Sequence, residues 1–121
     1  MPVRSLNSSV LVWPNRDQVD QAVRTWAVEM ARQHPETQRI AYYGSYARGD
    51  WGVGSDVDLL AVVEDTAEPF ERRALGWDLS GLPVPADLLI YTEQEWQRLL
   101  DEGGAFARML VREAVWVYEG R

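Results

Sequence analysis

The sequence predicts a mixed α/β fold in which a small β-sheet is flanked by helices. Segments with apolar residues at helical spacing alternate with short continuous apolar runs, and glycine or proline separates most of them. The chain has 121 residues, of which 46% are hydrophobic, and this is enough for one domain with its own core. We therefore expect a single domain over residues 1–121.

The first elements are a short strand and an amphipathic helix. The run VLVW at residues 10–13 predicts the strand. Asn15 and Gln18 have the spacing of a capping box, so a helix is expected to begin there. Pro35 ends this helix, because the residue before a proline avoids the helical conformation. The apolar stripe of the helix comprises Val19, Ala22, Val23, Trp26, Ala27 and Met30.

The rest of the chain alternates in the same way. The predicted strands are 40–43, 57–63, 84–91 and 114–118. Pro85 favours an edge position for the strand at 84–91, because proline donates no hydrogen bond to a neighbouring strand. Thr92 and Glu95 form a second capping box, for a helix that runs through Leu100. The other predicted helices are 69–77 and a last one after Gly103-Gly104, with inner residues Phe70, Ala74, Trp77, Phe106, Met109 and Leu110.

The composition excludes several functions. With 19 acidic and 12 basic residues the formal net charge is −7, which argues against tight, sequence-independent binding of nucleic acid. The absence of cysteine excludes disulfides and thiolate metal sites and fits a reducing compartment, so we expect a cytoplasmic protein. No apolar run approaches the roughly 18 residues that span a membrane, and we expect no membrane partner.

The stretch YYGSYARGDWGVGSDVDLLAVV, residues 42–63, contains a pair of acids at the start of a strand. Asp56 and Asp58 are two residues apart, so they are expected to project from the same face. At roughly 7 Å their carboxylates repel by about 2 kcal/mol in an effective dielectric near 20. Either solvent or a cation between them relieves this repulsion. Magnesium suits the second alternative, because carboxylates and substrate phosphates are its usual ligands.

The turn before these acids has the features of an anion-binding site. Glycine at Gly44 lets backbone N–H groups approach an anion, and a helical turn that begins at Ser45 would add free N–H groups and a hydroxyl. Arg48 either contacts the same phosphates or forms a surface ion pair with Asp50. An anion cradle beside paired carboxylates suits a metal-bound nucleoside triphosphate and in-line attack at phosphorus.

Two further residues have alternative interpretations. Asp87 lies inside an apolar strand, where an acid without a partner is costly. It is the best candidate for a third carboxylate that completes a two-metal site and accepts the proton of the nucleophile; the alternative is a satisfied acid on an edge strand. Trp51, in the loop within the motif, either stacks on a nucleotide base or is an exposed or subunit-contact residue.

The pattern G-S, ten residues, D-x-D resembles that of the minimal nucleotidyltransferases of the DNA polymerase beta-type superfamily. It occurs as Gly44-Ser45 and Asp56-Val57-Asp58, within the fuller form G-S-x-A-R-G…S-D-x-D-L. The resemblance implies a polymerase beta-like palm fold, with two Mg²⁺ ions held by Asp56, Asp58 and Asp87. It also implies that Asp87 is the base. The nucleotide-binding residues expected on this motif are Gly44, Ser45, Arg48 and Ser55.

The resemblance also implies an activity and partners. Members of the family transfer a nucleoside monophosphate, often AMP from ATP, to an acceptor hydroxyl and release pyrophosphate. Stand-alone members are frequently antitoxins of all-helical HEPN toxins, and some adenylylate a tyrosine of the toxin. A nucleoside triphosphate and a HEPN-type protein are therefore the expected partners. The alternatives are a non-catalytic module that neutralises its partner by contact, and an aminoglycoside-type transferase that uses a dimer cleft.

Relative to that family the chain divides into an N-terminal extension, 1–13, and a core, 14–121. The extension adds either a further strand or a subunit contact. A homo-oligomer is one of the alternatives for the assembly of the chain.

Overall fold

A mixed four-stranded sheet forms the centre of the protein. The computed structural model describes residues 3–4 and 11–120, with side chains from residue 13 onwards. The elements in chain order are β1 (Val3–Arg4), β2 (Leu11–Val12), α1 (Arg16–Gln33), β3 (Thr37–Tyr43), α2 (Ser45–Arg48), β4 (Val57–Val63), a 3₁₀ helix (Phe70–Gly76), β5 (Ala86–Thr92), α3 (Glu93–Glu102), α4 (Ala105–Glu113) and β6 (Val115–Glu119). The predicted fold class, a small mixed sheet flanked by helices, is confirmed.

The strand order in the sheet is β5-β4-β3-β6. β4 and β5 are parallel, whereas β3 runs antiparallel to both β4 and β6. The strand that contains Pro85 in its predicted bounds therefore lies at an edge, as expected, although β5 begins one residue after that proline. Within the part of the chain that the structure describes, no helix combines the length and apolar character needed to cross a bilayer.

The sheet separates two layers of helices. On one face, α3 and α4 cover Leu60 and Val62 of β4 with Trp96 and Leu110. β4 is covered on both faces, and this explains why residues 59–63 are all apolar. Ala22, also predicted for the stripe of α1, is half-buried. On the opposite face lies α1, whose buried residues are Val19, Val23, Trp26, Ala27 and Met30.

Both predicted capping boxes are present. Asn15 Oδ1 accepts from the backbone N–H of Gln18 at 2.9 Å, and the Gln18 side chain accepts from the N–H of Asn15 at 2.8 Å. Thr92 and Glu95 make the same reciprocal pair at the start of α3. These contacts satisfy N–H groups that a helix leaves free at its first turn, so both helices begin where the sequence predicted.

Two predicted elements differ from the structure. The helix expected at 69–77 is a 3₁₀ helix, and Phe70 is 41% exposed instead of lying inward. In a helix with three residues per turn, Phe70 shares a line with Arg73, and Arg73 is held by Glu95 of α3. The N-terminal strand is β2, which pairs antiparallel with β1 in a separate two-stranded sheet; Val10 lies outside the described residues.

The ion pair between Arg73 and Glu95 ties the 3₁₀ helix to α3. Arg73 donates to both carboxylate oxygens of Glu95, at 2.6 and 3.1 Å, and to the carbonyls of Glu68 and Ile90. The hydrogen bonds from Arg73 lower the pKa of Glu95 to about 2. The stabilisation is therefore complete above the ordinary carboxyl pKa of 4.5 and is lost as the pH falls towards 2.

We expect Glu95→Gln to lower the free energy of unfolding by about 1 kcal/mol at pH 7, because solvent screening weakens a pair whose carboxylate is partly exposed. By pH 3 less than half of this difference should remain, since the carboxylate in the unfolded chain, with its ordinary pKa of 4.5, is then mostly protonated. Urea unfolding at both pH values measures it, with Glu102→Gln as a control that changes an exposed acid of the same helix. A difference of the same size at both pH values would contradict the assignment.

Candidate active site

The three candidate acids lie where β3 ends and β4 and β5 begin. β3 is antiparallel to β4, so its last residue, Tyr43, is the register partner of Asp58. β5 is parallel to β4, and Asp87 is the register partner of Asp58 on the other side. Adjacent strands are about 5 Å apart, so Asp58 and Asp87 are direct neighbours across the β4–β5 pair.

Both acids project from the face that α3 and α4 cover. Side chains two residues apart on a strand share a face, and Leu60 and Val62 of β4 belong to the cluster beneath α3 and α4. Leu89 and Tyr91, two and four residues after Asp87, pack against the same cluster. Asp56 lies one residue before β4 and is exposed, whereas Asp58 is half-buried.

The charges at this edge are unbalanced. Burial raises the pKa of Asp58, and the neighbouring Asp87 and Asp56 raise it further. Burial, followed by the charge of Asp58, Tyr91 and Asp87, raises the pKa of the Tyr43 phenol to about 12. Arg48 is the one nearby cation that opposes the rise at Asp58 among the residues described. The site therefore has an excess of negative charge that a cation would relieve.

The donor set suits magnesium, because carboxylate oxygens are the side-chain ligands that this ion prefers. The structural observation that supports the fit is the register of β4 and β5, which places the half-buried carboxylate of Asp58 beside Asp87. Across the described residues, no three His, Cys, Asp or Glu side chains are already gathered into a metal-binding group. Asp58 and Asp87 thus provide carboxylate oxygens on one face of the sheet, but the described residues do not form a complete metal site without the ion.

Gly44 connects β3 to the predicted phosphate-binding turn. Its φ of +81° lies in a region that favours glycine, and a Cβ at this position would clash with Oδ2 of Asp58 and lie 3.3 Å from its Cγ. The Asp58 carboxylate therefore packs directly against the backbone of Gly44. α2 begins at Ser45, as the sequence predicted, and the N–H of Arg48 donates to the carbonyl of Gly44 at 2.9 Å.

Arg48, at the end of α2, is bound between two carboxylates. Its Nε donates to Asp50 at 3.0 Å, which is the surface pair that the sequence left as one alternative, and its Nη1 donates to Glu113 at 3.2 Å. Sequence reasoning missed Glu113, which lies 65 residues away at the end of α4. No local signal could have found it, because only the packing of α4 on the sheet brings it to this edge.

Ser55 and Trp51 both stabilise the loop between the two halves of the motif. Ser55 Oγ accepts from the N–H of Gly52 at 2.8 Å, and the N–H of Ser55 donates to the carbonyl of Gly52 at 3.0 Å. Trp51 is half-buried and stacks on Tyr46, with ring centroids 5.5 Å apart and planes 8° from parallel. Trp51 is thus a packed residue of the domain instead of an exposed loop tryptophan.

Two cavities on the described surface lie away from the acids. A groove of about 760 Å³ follows α1 and is lined by Trp26, Met30 and Asp78 among others. A second cavity, of about 420 Å³, includes His34, whose ring stacks on Trp77 with centroids 4.5 Å apart. None of Asp56, Asp58 and Asp87 lines either cavity. The candidate site is therefore defined by its charges and its backbone turn.

A mixed sheet with acids at the starts of two parallel strands, beside a glycine–serine turn, is typical of enzymes that transfer nucleotidyl groups. The chain belongs to the nucleotidyltransferase domain family, whose family model matches residues 24–116. The predicted enzyme class, a nucleotidyltransferase, is thereby confirmed. No curated protein matches the chain.

Solved structures share the fold. A Sulfolobus solfataricus protein assigned as a nucleotidyltransferase has a TM-score of 0.62 at 20% identity, over 86% of this chain and 83% of that one. A toxin-antitoxin structure with AMP-PNP has a TM-score of 0.53 at 19% identity, over 81% and 74%. A mutant of the toxin-antitoxin MntA-HpeT has the same TM-score at 17% identity, over 81% and 74%. At these identities the likeness establishes the fold.

Proposed function

We propose that this protein transfers AMP from ATP to a hydroxyl group on a partner protein, in a magnesium-dependent reaction. The observation that supports this most directly is the register of β4 and β5, which pairs Asp58 with Asp87 on one face of the sheet. The turn at Gly44 packs against Asp58 in a chain of the nucleotidyltransferase family. Acids beside a phosphate-binding turn are the groups that phosphoryl chemistry requires.

In this proposal Asp56, Asp58 and Asp87 would hold two Mg²⁺ ions. Bound magnesium would supply a Lewis acid for the α-phosphate and positive charge for the attacking and leaving oxygens. The excess of negative charge that raises the pKa of Asp58 is consistent with a site built for cations. In this proposal β4 and β5 would hold Asp58 and Asp87 side by side, and Asp56, one residue before β4, would join them when the ions bind.

Gly44 and Ser45 would bind the triphosphate, together with Arg48. Backbone N–H groups at the start of a helix have no partner within it and can donate to phosphate oxygens. Nη2 of Arg48 has no hydrogen-bond partner among residues 13–120 and is available for a phosphate. Ser55 would contribute to the nucleotide site by shaping the loop, through the turn that it forms with Gly52.

Asp87 would act as the general base. It is exposed at the start of an edge strand, where the hydroxyl of another protein can reach it. In the proposed step Asp87 accepts the proton of that hydroxyl, whose oxygen forms a bond to the α-phosphorus. The bond from the α-phosphorus to the bridging oxygen of the β-phosphate breaks at the same time, and pyrophosphate leaves.

A helical, HEPN-type protein is the acceptor that we propose. This chain shares its fold with toxin-antitoxin structures, one of which contains AMP-PNP. The acids lie outside the two cavities described above, at an edge that a protein surface can approach. A role as an antitoxin that acts by contact is the second candidate, because the same fold similarity supports it.

The test uses ATP labelled at the α-phosphate, magnesium and a helical HEPN-type protein as the proposed acceptor. Wild-type protein should label this partner, whereas Asp56→Asn/Asp58→Asn should not; Asp101→Asn, at an exposed position, serves as the matched control. Equal labelling by wild type and the double variant would remove the enzymatic proposal. If the double variant binds the partner and still protects cells from it, neutralisation by contact is the better explanation.

A further inference from the structure

We infer that Glu113 is a positioning residue for the nucleotide site, because it orients the guanidinium of Arg48 towards a bound phosphate. This inference rests on the proposed function of the turn from Gly44 to Arg48 as a triphosphate site. Glu113 lies outside the sequence motif of residues 44–59. Its position follows from tertiary packing alone.

The hydrogen bonds fix the plane of the guanidinium. Arg48 Nε donates to Asp50 at 3.0 Å and Nη1 donates to Glu113 at 3.2 Å. A guanidinium is planar and has five N–H donors in a rigid fork. Hydrogen bonds from Nε and Nη1 therefore fix the plane of the guanidinium and with it the direction of Nη2, which has no partner among residues 13–120.

Glu113 is the better fixed of the two carboxylates. Its side chain is 13% exposed, compared with 61% for Asp50. Leu110, one turn earlier in α4, is fully buried in the core. Two residues later, Val115 pairs with Tyr42 of β3. Glu113 is thus anchored from both sides, and it links the glycine–serine turn to α4.

Arg48 lies beside the acids. Its backbone N–H donates to the carbonyl of Gly44, and the backbone of Gly44 packs against the carboxylate of Asp58. The turn therefore holds Arg48 next to the edge where a nucleotide would lie. Without Glu113, the arginine would keep only its pair with exposed Asp50 and would sample more rotamers.

The first measurement is the affinity for magnesium–ATP by calorimetry, together with KM and kcat. We expect Glu113→Ala to raise Kd and KM by about 3- to 10-fold, the value of one ordinary hydrogen bond, and to change kcat by less than about 2-fold. Glu113→Gln keeps an acceptor oxygen and should recover most of the affinity. Glu102→Ala, which changes the last residue of α3, is the matched control and should leave both constants unchanged.

Arg48→Ala separates positioning from a general structural role. In that background, Glu113→Ala should have no further effect on Kd, because the residue it orients is absent. An equal effect of Glu113→Ala with and without Arg48, or no effect in either, would overturn the inference. Wild-type protein that fails to bind magnesium–ATP would overturn the proposed function and this inference together, whereas binding that is insensitive to Glu113 overturns the inference alone.

Discussion

Gly44→Ala is expected to reduce nucleotidyl transfer by at least about 100-fold, the cost of misplacing a reacting group by roughly 1 Å. The added methyl would clash with Oδ2 of Asp58 and would push that carboxylate away from the backbone. The shift would change the position of the Asp58 carboxylate relative to its register partner Asp87. The geometry of the acids would be lost even though all three remain.

The same variant is also expected to lose about 1 to 3 kcal/mol of folding stability, because alanine is strained at the backbone conformation of Gly44. Gly103→Ala is the matched control: Gly103 also has a positive φ, of +63°, but a Cβ there would meet nothing within 4 Å. It should lose stability and keep its activity. Transfer rates and thermal unfolding of both variants test this, and a Gly44→Ala protein with at least half of the wild-type rate would refute it.

Local signals explain why much of the fold was predictable. The two capping boxes and the bounds of β4 follow from neighbouring residues, and the structure has them where the sequence placed them. The start of β3 was missed because Thr37, Gln38 and Arg39 are polar. Arg39 is accommodated by stacking on Trp116, at 3.7 Å from the ring centre. Such a partner, distant in sequence, leaves no periodic pattern.

The candidate site was likewise predictable from the sequence only in part. The sequence placed Asp56, Asp58 and Asp87 on neighbouring strands, and the register of β4 and β5 makes two of them direct partners. The alternation of side chains along each strand did not determine this pairing, because a one-residue change in register would have turned Asp87 to the other face. The environment of Arg48 was not predictable, since its tie to Glu113 depends on how α4 packs. The roles of all these residues in catalysis stay predictions.

Asp87→Asn is expected to lower the rate of transfer by about 10²- to 10⁴-fold, the usual contribution of a general base. Asparagine has nearly the same shape but cannot accept the proton of the acceptor hydroxyl. Asp87 is exposed and lies at the second position of β5, so the substitution removes no packing from the core. We therefore expect the affinity for nucleotide to change much less than kcat.

The stability of this variant should move in the opposite direction from its activity. Asp87 is one of the two acids whose charge raises the pKa of Asp58, so its neutralisation relieves like-charge repulsion. A gain of about 0.5 to 1 kcal/mol follows, because Asp87 is exposed and charges roughly 5 Å apart repel by about 0.8 kcal/mol at the dielectric constant of water. If Asp87→Asn is more stable than the wild type and has a much lower kcat, the repulsion between Asp58 and Asp87 lowers folding stability and is needed for catalysis. Asp101→Asn should change neither quantity, and an Asp87→Asn protein that transfers AMP within about threefold of the wild-type rate would exclude the proposed base.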